Sequence, residues 1–199
     1  NRLSNRESLT MVSHILGTEE LDKELQELIL KKTEGIPFFI EEFVRSLRDL
    51  GVIERRGNKY HLNRDVKDMV IPGTIQEIIT ARVDSLPKGA KNVLQAGSAI
   101  EREFSYELIR RVMKLPELEL ISHLSVLRDS ELLYERGIFP KSTYVFKHNL
   151  TREVVYGSIL KNARKALHHK IGHAIEEIHK NNLDEYYGVL AEHFIAAGN

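Results

Sequence analysis

Thr33-Glu-Gly-Ile-Pro-Phe-Phe-Ile-Glu-Glu-Phe43 places a Gly-x-Pro break between two strongly helical stretches and follows it at once with aromatic residues. A bland linker would be polar. Here Gly35 suits the end of one helix, and Pro37 suits the first position of the next, where its missing N–H costs nothing. The break therefore reads as a packing corner, as a place that presents backbone and proline to a ligand, or as both.

Working outward, the apolar residues from Glu7 to Leu50 recur at helical spacing, with Leu21, Leu25, Leu28, Ile29 and Leu30 on a core-facing stripe. Thr18-Glu-Glu-Leu reads as a helix start, and Pro37 to about Leu50 as a helix burying Phe38, Phe39, Phe43, Val44 and Leu47. Gly51 stops that helix. The alternation around Arg56-Gly57-Asn58 predicts a hairpin. Ile71-Pro72-Gly73 punctuates again, and Thr74 opens a helix that Pro87 closes.

PKGAKNVLQAGSAI, FSYELIRRVM and PELELISHLSVLRDS then read as three short helices. LLYERG and STYVFKH read as two strands around a loop holding Gly137 and Pro140. Three helices followed by a two-stranded wing is the order of a winged-helix domain. LTREVVYGSIL, Lys161 to about Lys180, and YYGVLAEHFIAAG are helical, the last being a candidate first half of a helix-hairpin repeat.

The expected fold class is thus mainly α with small β-hairpins. A helical lid covers 1–50, a hairpin connector 51–71, a winged helix 72–160, and a helical, TPR-like segment 161–199.

Composition narrows the chemistry. Lysine plus arginine equal aspartate plus glutamate, 29 each among 199 residues, so no global field draws the chain to nucleic acid or anionic membrane. There is no cysteine, which excludes disulfides, Cys-ligated zinc and thiol catalysis, and fits a reducing, cytoplasmic setting. No apolar run approaches the ~18 residues of a membrane span, and no signal-peptide pattern opens the sequence. The absent initiator methionine suggests an excised part of a longer protein.

Sequences of the type GxxxxGK[ST], GxSxG and HExxH are all missing, so a complete active site is not encoded. Glu41 and Glu42 are helix neighbours that point to different sides, which makes no acid/base pair. His169 and His173, four apart with Glu176 and Glu177 a turn on, have a spacing that suits zinc, but KNARKALHHK reads better as a solvated basic face. The third winged-helix segment carries Glu117, Glu119, Asp129 and Glu131 against one Arg128, the wrong sign for a phosphate-lined groove. The basic run Lys161, Arg164, Lys165 and Lys170 likewise reads as an outer face. His148 follows an alternating strand and precedes a helix that Asn149 is placed to cap, near N–H groups that favour an anion.

The run TEGIPFFIEEFVRSL from Thr33 to Leu47 resembles the TEGNPFFIEELVRSL signature of signal-transduction ATPases with numerous domains, the STAND class of AAA/NB-ARC-like ATPases. The similarity continues in order through IPGTIQEIITARVDSLP (Ile71–Pro87), ELLY (Glu131–Tyr134), YVFKHNLTREVVYGSIL (Tyr144–Leu160) and LAEHFIAAG (Leu190–Gly198). Members of this branch are often fused to class III adenylate or guanylate cyclases, protein kinases or transcriptional regulators.

The resemblance implies the portion that follows a P-loop core: lid, winged helix and entry to helical repeats. It implies a switch that uses ATP or ADP with Mg in the parent protein, no cofactor in the fragment alone, and no catalysis by the fragment. Gly35 and Pro37 correspond to a GxP motif whose proline packs on the adenine side. Phe146-Lys-His148-Asn-Leu resembles the MHD-type motif, whose histidine meets the β-phosphate of ADP; Lys147 stands where that motif has methionine and Asn149 where it has aspartate. A proline ring is a flat apolar plate of fixed φ, suited to a base. The implied partners are the parent's own P-loop core in cis and proteins bound through the repeats, with neither nucleic acid nor membrane. The alternative expectation is a winged-helix and helical-repeat scaffold that recognises protein or DNA without nucleotide.

Overall fold

A computed structural model describes residues 1–63 and 74–198, and the break at Ile71-Pro72-Gly73 lies outside them. The fold is mainly α, with two small three-stranded sheets. Two compact units, Asn1–Ser85 and Leu86–Asn199, make up the chain.

In the first unit, α1 (Asn5–Leu16) opens on a capping box. Ser4 Oγ accepts from the Glu7 N–H at 3.2 Å, and the Glu7 carboxylate accepts from the Ser4 N–H at 2.8 Å. The Thr18 region departs from the expected helix start: Glu20–Leu21 form a short strand, β1, and the helix begins only at Lys23. The reason is local. The Thr18 hydroxyl donates to the Asn58 carbonyl and accepts from the Glu20 N–H, so it ties the chain to the hairpin instead of capping a helix.

The helix that follows, α2 (Lys23–Thr33), and α3 (Pro37–Asp49) flank the Gly-x-Pro corner. The hairpin forms as read, from β2 (Ile53–Arg56) and β3 (Lys59–Leu62), with β1 added parallel to β3. Leu25, Ile29, Ile40, Phe43, Val44 and Leu47 fill the core, and Phe39 meets Phe43 edge to face at 6.1 Å. Burying a side chain such as Phe43 contributes about 1.5–3 kcal/mol. Phe38 stays half-buried and outside this core, because it lies a third of a turn off the stripe.

Helix α4 (Ile75–Asp84), capped by Thr74 as expected, belongs to this first unit, although the sequence reading opens its winged helix at residue 72. Ile78 joins the core, and Arg82 is buried beside Glu42 of α3.

The second unit runs α5 (Lys88–Ile100), β4 (Glu103–Ser105), α6 (Tyr106–Met113), α7 (Glu117–Asp129), β5 (Leu133–Arg136) and β6 (Thr143–Phe146). The strand pairs order as β4-β6-β5, all antiparallel. The three helices and the β5–β6 strand pair follow the expected order. Sequence reading missed β4, which is only three residues long and sits directly against the Ser105 cap of α6. Then come α8 (Asn149–Ser158), α9 (Lys161–Ile178), a single 3-10 turn at Leu183–Tyr186, and α10 (Tyr187–Ala197). Helices α9 and α10 form an antiparallel hairpin. Gly172 makes the close approach possible, since a Cβ there would meet the Phe194 ring at 2.8 Å. Among the described residues, no helix is long and apolar enough to cross a membrane.

Candidate functional site

The corner at Thr33–Pro37 is held by backbone geometry. Glu34 and Gly35 both adopt left-handed conformations, with φ of 50° and 75°. The Gly35 carbonyl accepts from the Leu3 N–H at 2.8 Å, and a Cβ at Gly35 would run into the Leu3 carbonyl oxygen. Gly35 is buried, so only glycine satisfies both the φ and the space. The Ile36 N–H donates to the Thr33 carbonyl at 3.0 Å, and Ile36 takes an extended conformation as the N-cap of α3.

Pro37 occupies the first helical position, and no side chain caps this helix. Ile36 is 38% exposed and Pro37 half-buried, which leaves an apolar plate at a helix N-terminus. The corner is therefore a packing device at Gly35 and a presented surface at Ile36 and Pro37.

Of the motif's three glutamates, Glu34 sits at the corner and pairs with Arg2 at 3.6 Å, and the other two do not face this start. Glu41 and Glu42 lie beyond the first turn of α3, which contains no acid. Glu41 pairs with Arg45 at 3.6 Å. Glu42 is buried, 1% exposed, and forms an ion pair with Arg82, which is also approached by Asp49 at 3.7 Å. Burial is the first cause that lowers Arg45 below the ordinary arginine value, with the Glu41 carboxylate opposing it. Glu42 thus locks α3 to α4, while Glu41 is held by Arg45 within α3 itself.

His148 lies in the second unit, whereas Gly35 and Pro37 lie in the first. It is the N-cap residue of α8, in an extended conformation, half-buried, with Nε2 shielded from solvent. The expected Asn149 cap is not formed. Asn149 is the first residue of the helix, and its Nδ2 donates to Glu153 at 3.1 Å. The side chain of a helical residue leans back over its own turn and does not reach the N2 and N3 amides that a cap must serve.

The histidine pair on α9 is close, with Nε2 atoms of His169 and His173 at 3.2 Å and Glu176 at 2.9 Å from His173 Nδ1. Among the described residues, however, no group of three or more such side chains is arranged to hold a metal ion. The neighbouring His168 corrects the reading of KNARKALHHK as a wholly solvated face. His168 is buried, its Nε2 lies 2.8 Å from the Tyr156 hydroxyl, and its Nδ1 lies 2.9 Å from Nδ1 of buried His193. The signal was present: residue 168 falls on the same stripe as Ile171 and Ile175. Arg164, in the same run, is also engaged, over the Tyr156 ring at 4.7 Å and donating to the Ile159 carbonyl at 3.1 Å.

On α7 the single base is committed, since Arg128 pairs with Glu135 at 3.1 Å and with Asp129 at 3.7 Å. The outward charge of α7 is left to its acids.

Residues 4–55 match the family model described as a domain of unknown function, DUF8739, a match that ends within β2. The chain is also similar to an uncharacterized protein of Rhizobium meliloti (strain 1021), at 23% identity over 172 residues, covering 82% of this chain. The chain spans only 16% of that curated relative's length.

Proposed function

We propose that this chain is the lid and winged-helix portion of a STAND-type signalling switch, closing on ATP or ADP bound by a P-loop core elsewhere in a longer cytoplasmic protein. The observation that carries the reading is the Gly35–Pro37 corner. A buried glycine anchors it, and an exposed Ile36 with the Pro37 ring offers a flat apolar surface to an adenine. Glu41 and Glu42 are withdrawn into ion pairs, and the exposed Glu34 beside the corner pairs with Arg2 at 3.6 Å.

His148, at the start of α8, supplies the phosphate contact, where helix N–H groups favour an anion. Two contacts from two units let one nucleotide bias their arrangement, because a ligand shifts an equilibrium by its differential affinity for the two states. The helix-strand-helix-helix-strand-strand order of the second unit supports the winged-helix assignment. The small share of the relative's length that this chain spans supports the longer parent. The fragment itself performs no catalysis. Its hairpin of α9 and α10 leads towards protein-binding repeats, and the acidic face of α7 argues against DNA.

The test is the parent's upstream sequence together with its purified nucleotide content. A GxxxxGK[ST] loop within a few hundred residues, and ADP released on denaturing the parent, are the expected results. A parent without such a loop sinks the reading.

A further inference from the structure

Half-buried Tyr156 and buried His168 and His193 form a chain that joins α8, α9 and α10, and its geometry limits how many protons it can hold. Two Nδ1 atoms face each other at 2.9 Å, with the ring centroids 5.2 Å apart, so one must donate and the other accept. The neutral pair satisfies this in either tautomeric arrangement. In one, Tyr156 donates to His168 Nε2 and His168 Nδ1–H donates to His193. In the other, every donor and acceptor is exchanged.

One added proton is also accommodated: a protonated His193 donates from Nδ1 to His168, whose Nε2–H then donates to the Tyr156 oxygen. A second proton is not. It puts hydrogen on both Nδ1 atoms and two positive charges on touching rings in the interior.

The charges around the pair set the order. Arg164 of α9 and Arg152 of α8 lie on the His168 side and oppose its protonation, while Glu192 of α10 favours that of His193. Arg152 is held there by donating to the Ser98 carbonyl of α5 at 3.0 Å. On α8, Glu153 accepts from Asn149, and on α9 His173 meets Glu176. Arg111 of α6 bridges to Glu177, nine residues and about 13 Å along α9, and Asp184 in the 3-10 turn acts on Tyr187. The titratable groups of α5 are Lys88 and Lys91, both in its first turn.

We propose that this chain is a proton-counting latch, which holds α10 against α9 while at least one imidazole is neutral and releases α10 when both are protonated, His193 first and His168 second. Burial is the leading cause that pushes both imidazoles below the ordinary histidine value of 6.5. The sign follows. With folded values below the free ones, the undocked state takes up protons first, so docking is complete above about pH 6.5 and is lost as pH falls.

The experiment is amide hydrogen exchange of α10 in the 199-residue chain between pH 7.5 and 5.0, corrected for intrinsic rates, with α3 as internal reference. Protection of α10 should fall at least tenfold while α3 changes little, since proton uptake by the undocked imidazoles grows with each unit of pH below about 6.5. His193→Asn keeps a neutral hydrogen-bonding group near the Nδ1 position and should flatten that dependence. Equal pH dependence of α10 in wild type and variant, or none in the wild type, overturns the proposal.

Nitrogen-15 NMR of the unsubstituted protein decides the matter even where the variant fails to fold. Two separated transitions below 6.5, His193 before His168, are expected. A single shared transition near 6.5 contradicts the latch.

Discussion

Each unit of this protein buries polar side chains between helices, and the two do so in opposite ways. Between α3 and α4 the interior holds a charged pair, Glu42 with Arg82, each side chain about 2% exposed. Between α8, α9 and α10 it holds a neutral chain of Tyr156, His168 and His193. Both align one helix on another, because a buried polar group without its partner is costly. They differ in what disturbs them. The ion pair contains no group whose ordinary pKa lies near neutrality, whereas the ordinary imidazole value does, and burial pushes both imidazoles below it. The first unit is therefore built as a fixed corner, and the end of the second as a joint that responds to its surroundings.

The largest effect should come from breaking the charged pair on one side only. Arg82→Ala leaves Glu42 buried without its cation and should cost the first unit about 3–5 kcal/mol in urea unfolding. The double change Glu42→Leu with Arg82→Met should recover most of that loss, since apolar replacement of both partners is often neutral. A double variant as unstable as the single one would show that packing, not charge, holds α4 to α3.

Next in size is the corner itself. Gly35→Ala adds a Cβ that meets the Leu3 carbonyl at a φ of 75°, and should cost about 1–3 kcal/mol. Thermal unfolding measures it, and a neutral result would mean that the segment around Leu3 is not anchored there. Smaller again is loss of the Thr74 cap, whose hydroxyl accepts from the Glu77 N–H at 3.2 Å; Thr74→Ala should cost about 1 kcal/mol. A change in chemical denaturation midpoint without a change in slope is the expected signature.

Much of this was legible in the sequence, and the reasons differ by residue. Pro37 at a helix start, Thr74 as a cap and Gly57 in a hairpin each carry strong local preferences, so propensity and structure agree. Thr18 carries an equally strong capping preference and was misread, because its hydroxyl is used by a hairpin 40 residues away. Glu42 and Arg82, also 40 apart, are each unremarkable in sequence; their meaning exists only once α4 packs on α3. His168 is intermediate, since its position on the apolar stripe was visible but its partner His193 on α10 was not.

The same division applies to the candidate site. Gly35 and Pro37 were legible as a corner because glycine and proline act through their own backbones. The withdrawal of Glu41 and Glu42 into ion pairs was not, since it depends on Arg45 and Arg82.

The central claim is that the Pro37 corner and His148 serve one nucleotide. The direct measurement is an ADP titration by calorimetry of the nucleotide-free parent protein, comparing wild type with Pro37→Ala and His148→Ala. The account predicts that each substitution weakens ADP by about tenfold, roughly 1.4 kcal/mol, with the folded state intact by circular dichroism. ADP affinities unchanged in both variants would contradict it.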